Sequence, residues 1–133
     1  EGTQVLEGSP MTRKSMFLLQ RWLDAVCSRN AEHVLALYTS DAVLLGTFAN
    51  SIKEGPELRG YFQDFLQKMD LCGQVDQVIE QEAEGSLILS GEYTFHWLDA
   101  AGPRAEEARY TFVFVPVEEE WLILTHHSSA VPG

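Results

Sequence analysis

The second half of this chain constrains its fold more than any other feature. After Gly73 it reads as extended segments in close succession: Val75 to Glu80, "SLILSGEYTFHW", "EEARYTFVFV" and "EWLILTHHSS". β-Branched and aromatic residues dominate all but the first of these. "LDAAGPR" forms a Gly/Pro turn between the middle two, and Glu118 to Glu120 forms the last turn. Connections this short make consecutive strands antiparallel neighbours.

The first half is helical instead. From Thr12 onward, Met16, Leu19, Trp22, Leu23 and Val26 recur at helical spacing, with Arg13, Lys14, Arg21, Asp24 and Arg29 on the polar side. Asn30 reads as the N-cap of a short second helix, Ala31 to Tyr38. Thr39, Ser40 and Asp41 read as a turn, and Ala42 to Leu45 as a short strand. Gly55-Pro56 opens a third helix with Leu58, Tyr61, Phe62, Phe65, Leu66 and Met69 on its apolar face. Helices first and strands second place the chain in the α+β class, three helices packed on a curled antiparallel sheet. A curled sheet leaves a concave face, whose default product is a pocket. The 133 residues are expected to form one domain over 12–133 after a mobile lead-in at 1–11 that lacks periodicity.

Charge narrows the partners. Nine Lys and Arg against 20 Asp and Glu give a net charge of −11. Nucleic acid and anionic membrane surfaces are therefore not expected partners, since both need clustered cations. No apolar run approaches the roughly 20 residues of a membrane helix. The chain begins at Glu1, so a soluble, processed or trimmed product is expected, with no compartment indicated. Cys27 and Cys72 stand near the ends of predicted helices, and their spacing supports neither a disulfide nor zinc; they are expected to be small buried thiols.

The last strand concentrates polar chemistry. In "LTHHSS", alternation puts Thr125, His127 and Ser129 on one face and His126 and Ser128 on the other, so one His–Ser pair faces the concave side. Leu122, Ile123 and Leu124 before them are all buried types and leave the choice open. Such a pair also serves to satisfy backbone groups at a sheet end. No G-x-S-x-G elbow supports a nucleophilic triad. The adjacent His126 and His127 diverge, and His33 and His96 lie on other elements, so no metal site or cofactor is expected. Thr47 and Asn50 follow the short strand at the pocket mouth, and Tyr61 lies on an apolar helix face, where its hydroxyl needs a partner. Arg109 interrupts the apolar run of Tyr110, Phe112 and Phe114.

Taken together, "LYTSDAVLLGTFAN", "ARYTFVF" and "WLILTHHSSAVP" resemble the association-domain-like branch of the nuclear transport factor 2 superfamily, over roughly residues 15–132. That branch includes the hub domain of calcium/calmodulin-dependent kinase II. The "HHSS-x-x-P" ending, with a Thr after "LL", is more specifically similar to iota-class carbonic anhydrases and their bacterial relatives. The resemblance implies the cone-shaped fold and homodimers or higher homo-oligomers. The kinase-hub spacing of His, Ser and Pro maps onto His127, Ser129 and Pro132, which implies His127 and Ser129 in the pocket and His126 outside. It also implies metal-independent hydration of carbon dioxide to bicarbonate by Thr47, Tyr61, His127 and Ser129, with Asn50, Tyr93 and Arg109 as binding residues. The alternative it carries is a non-catalytic association domain, or one holding a small carboxylate against Arg109. Two departures stand out: Gly46 where the relatives usually have Pro, and Thr125 where they often have a third His.

Overall fold

The computed structural model describes residues 13–132; the expected lead-in at 1–11 lies outside them. Helix α1 (Arg13–Ser28) is followed by α2 (Ala31–Leu35), β1 (Tyr38–Leu45), β2 (Lys53–Glu54) and α3 (Glu57–Phe65), and then by β3 (Met69–Ala83), β4 (Ser86–Asp99), β5 (Gly102–Val117) and β6 (Glu120–Ala130). The six strands form one sheet in the order β2-β1-β6-β5-β4-β3. β3 through β6 pair antiparallel in sequence order. β1 instead joins β6 in parallel, so the sheet is mixed.

α1 lies across the concave face and buries Ser15, Leu18, Leu19, Trp22, Leu23, Ala25 and Val26. That stripe is centred one residue away from Met16, which is 51% exposed although its spacing predicts an inward place. Met69 is likewise 59% exposed, because α3 has ended and the chain has turned into β3. Inward residues of the strands, among them Leu87, Leu89, Tyr93, Phe95, Tyr110, Phe112, Phe114 and Ile123, complete the core.

Three predicted boundaries move. α2 ends at Leu35 rather than Tyr38. Thr39, Ser40 and Asp41 belong to β1 instead of a turn, since pairing of Tyr38 with Ile123 draws the backbone into the sheet early. β3 begins at Met69, well before Val75, and extends past Glu80. A polar, two-sided strand such as "MDLCGQVDQVIEQEA" carries little alternation to read.

The curl has a local cause. Val75 pairs with Tyr93 and Gln77 with Glu92, so Asp76 is an extra, bulged residue in β3. A Cβ at Gly91 would lie 1.9 Å from the Gln77 carbonyl oxygen, so only glycine lets β3 fold this closely onto β4. Tyr110 then donates to that carbonyl at 2.9 Å. Cys27 and Cys72 form a disulfide, contrary to the expected free thiols, with Cα atoms 4.5 Å apart. Packing of α1 on β3 brings these residues together across 45 positions, which sequence spacing cannot reveal.

Candidate functional site

The orientation of the last strand turns on one residue. Phe114 pairs with Ile123 and Val113 with Thr125, which leaves Leu124 as a bulge in β6. Ile123 faces the core, and unbroken alternation from it would send Thr125, His127 and Ser129 inward. The bulge reverses that parity, because a one-residue slip moves every later side chain to the other face. His126 and Ser128 are 2% and 6% exposed, while His127 is exposed and Ser129 half-buried on the outer face. The assignment of His127 and Ser129 to the cone interior is thereby corrected to His126 and Ser128.

Inside the cone these two join a continuous hydrogen-bonded chain. Trp22 Nε1 donates to the Tyr38 hydroxyl at 3.0 Å, and that hydroxyl lies 2.8 Å from His126 Nδ1. His126 Nε2 is 3.1 Å from the Tyr93 hydroxyl, which donates to Ser128 Oγ at 2.7 Å. Ser128 Oγ is in turn hydrogen-bonded to Thr47 Oγ1, the member of the chain nearest the mouth. Tyr61 sits beside it, its hydroxyl accepting from the Phe48 amide at 3.5 Å. Aromatic rings close the surroundings: His126 stacks on Phe112 with centroids 4.0 Å apart, and Trp22 meets its edge at 5.3 Å.

This environment sets the protonation states. Burial, assisted by the nearby His127, lowers the His126 pKa to about 3, so the imidazole is neutral near pH 7. Burial raises Tyr61 to about 12, partly offset by hydrogen bonds from the Phe48 and Thr47 amides. Tyr38 and Tyr93 are pushed up further by the same desolvation, opposed by bonds to Trp22 and Ser128 respectively. The chain is thus a run of neutral donors and acceptors.

Between Thr47, Tyr61, Phe65, Tyr93, His126 and Ser128 an internal recess of ≈ 10 Å³ remains, about the threshold for one water molecule. Outside it, Thr47, Phe48, Asn50, Lys53, Tyr61 and Lys68 line part of an open depression of ≈ 820 Å³. Lys68 Nζ lies 4.4 Å above the Phe48 ring and 5.4 Å from Trp97, fastening the rim. Gly46 also becomes intelligible: a Cβ there would come within 2.5 Å of the Tyr61 ring, so glycine makes room for that ring.

Of the residues singled out in the sequence, Thr47, Tyr61 and Tyr93 meet at the recess, and Asn50 lines the depression outside it. His127, Ser129 and Asn50 share a separate outer groove of ≈ 350 Å³, which Thr47 and Ser128 also reach. Arg109 lies outside the cone altogether, exposed on β5 in register with Glu92 and Ser129. Tyr38 and Trp22, members of the chain, carry no sequence signal beyond an apolar pattern. Glu80, a buried carboxylate, accepts from the Ser15 hydroxyl under α1 and does not line the recess. Among the described residues no group of three or more His, Cys, Asp or Glu is placed to hold a metal ion.

Comparison with known proteins places this geometry in a family. A putative calcium/calmodulin dependent protein kinase II association domain from Xanthomonas campestris has 33% identity over 93% of this chain and 90% of its own, with a TM-score of 0.85. The CaMKII hub of S. rosetta superposes with a TM-score of 0.76 at 15% identity, covering 92% of this chain and 99% of that one. A nuclear transport factor 2-like superfamily protein from Salmonella enterica gives 0.80 at 11% identity, covering 91% of each. These last two share the nuclear transport factor 2-like cone with this chain, here with an unclosed sheet. No curated protein matches the sequence. Residues 12–132 match the calcium/calmodulin dependent protein kinase II association domain family, and the chain belongs to that family.

Proposed function

We propose that this domain self-associates into a homo-oligomer through the outer face of its sheet. The observation that carries the reading is the composition of that face. Ile88, Val113, Val115 and Leu122 alternate with the core residues Leu87, Leu89, Phe112, Phe114 and Ile123 and are only partly buried on that face, while the helices cover the opposite face. An apolar strip of this kind gains by meeting a second copy of itself across a twofold axis. Arg109, His127 and Ser129 lie along the same face, where they supply polar contacts at its border. Family membership and the likeness to a hub domain support the reading. Sedimentation velocity at micromolar concentration should give a dimer or larger species. A monomer under those conditions would sink the proposal.

A second reading is favoured by one specific observation, the convergence of Thr47, Tyr61, Ser128 and His126 on a recess the size of one water. In this reading the domain hydrates carbon dioxide without a metal. The hydroxyls hold the attacking water, and the Thr47 and Tyr61 hydroxyls donate to bicarbonate oxygens as charge develops. The neutral His126 is too weak a base near pH 7 to accept the released proton, so that proton passes to solvent buffer and the rate is modest. Stopped-flow hydration in the presence of a chelator tests it. Thr47→Val and Ser128→Ala should abolish turnover, and Ser129→Ala should retain it. Loss on chelation, or equal loss in Ser129→Ala, excludes the mechanism. Arg109 lies outside the cone and takes no part at the recess in this reading.

A further inference from the structure

We propose that Tyr38, held by Trp22, is a positioning residue that fixes His126 as its Nε2–H tautomer and gives the buried chain a single polarity ending in the Thr47 hydroxyl as a donor toward the recess. This deepens the hydration reading and rests on the same recess, but its first consequence is independent of any turnover.

The polarity follows from both ends of the chain. The indole of Trp22 has only a hydrogen to give, so the Tyr38 oxygen accepts from it. The Tyr38 hydroxyl proton then needs an acceptor, and His126 Nδ1 is 2.8 Å away. Nδ1 is therefore the bare nitrogen of a neutral imidazole, and Nε2 carries the proton. From the other end, Tyr93 spends its hydroxyl proton on Ser128. Its oxygen is left to accept from His126 Nε2 at 3.1 Å, which requires the same tautomer. The opposite tautomer would leave the Tyr38 proton buried with no acceptor, which burial penalises.

Polarity then propagates outward. Ser128, having accepted from Tyr93, gives its own proton to Thr47 Oγ1. The Thr47 proton is the one left uncommitted, at the wall of the recess. Tyr61 accepts from the Phe48 amide and is left with its proton to donate as well. The recess thus presents two hydroxyl donors, and the chemical class it takes is an acceptor oxygen: a carbonyl, a hydroxide or an oxyanion.

Long-range ¹H–¹⁵N NMR of the folded protein reads this directly. In wild type His126 should show one pyridine-type nitrogen at Nδ1 and one pyrrole-type nitrogen at Nε2. Tyr93→Phe, in which Tyr38 alone orients the ring, should keep this single tautomer, and Tyr38→Phe/Tyr93→Phe should convert it to a mixture with at least a tenth of the Nδ1–H form. A mixture in a folded Tyr93→Phe variant, or one pure tautomer in a folded double variant, would overturn the positioning role. A wild-type spectrum with the proton on Nδ1 would overturn the polarity outright, even if the variants fail to fold. Absence of carbon dioxide hydration in wild type would end the hydration reading alone, with the tautomer result standing.

Discussion

His126 and His127 are neighbours in sequence and occupy opposite worlds. One is sealed among Trp22, Phe112 and two tyrosines, with both ring nitrogens hydrogen-bonded. The other is exposed on the outer face of the same strand, in register with Thr111. Ser128 and Ser129 repeat the contrast. The difference shows how a sheet separates one short motif: the inner pair completes a polar chain inside the cone, while the outer pair lies on the face for which self-association is proposed.

The sharpest way to break this contrast is to remove each imidazole in turn. His126→Ala should cost about 4–5 kcal/mol of unfolding free energy in urea, through the cavity and the stranded Tyr38 and Tyr93 hydroxyls. His127→Ala should stay within about 0.5 kcal/mol. Equal losses would erase the distinction between the faces.

Acid should act on the inner histidine next. The folded protein holds His126 at about 3 against a free value of 6.5, so below pH 6.5 the unfolded chain binds a proton that the folded one refuses. Stability is therefore full above that range and falls as pH drops, by roughly 4 kcal/mol at pH 3. Comparing urea midpoints of wild type and His126→Phe across pH 7 to 3 isolates this contribution, and parallel curves would contradict it. Smaller still, Ser128→Ala should cost about 1–2 kcal/mol by leaving Tyr93 and Thr47 without a partner, whereas Ser129→Ala should change unfolding by only about a few tenths. The smallest expected change in folding comes from Val115→Lys on the outer face, about 0.5 kcal/mol or less. That variant should nevertheless shift the sedimentation coefficient toward monomer. An unchanged oligomer would move the interface elsewhere.

Much of this could be read in advance. The helical spacing of Leu19, Trp22, Leu23 and Val26 and the alternation in "EEARYTFVFV" record burial directly, because each side chain's environment repeats with the period of its own element. Thr47 and Tyr61 were visible as polar groups interrupting apolar structure, and they do meet at the recess. The disulfide was not legible, since Cys27 and Cys72 become neighbours only when α1 settles on β3. Nor were Tyr38 and Trp22, whose hydrogen bonds join a helix, an edge-side strand and the last strand.

The amino-acid sequence alone determined the class of fold, the order of helices and strands, and the fact that a single His–Ser pair would enter the cone. Which pair enters was decided by tertiary structure. Leu124 has the same apolar character as its neighbours, and nothing local marks it as the bulged residue. It bulges because β6 must keep both Ile123 and His126 inward against Phe114 and Phe112. That requirement exists only once the curved sheet has packed against Trp22.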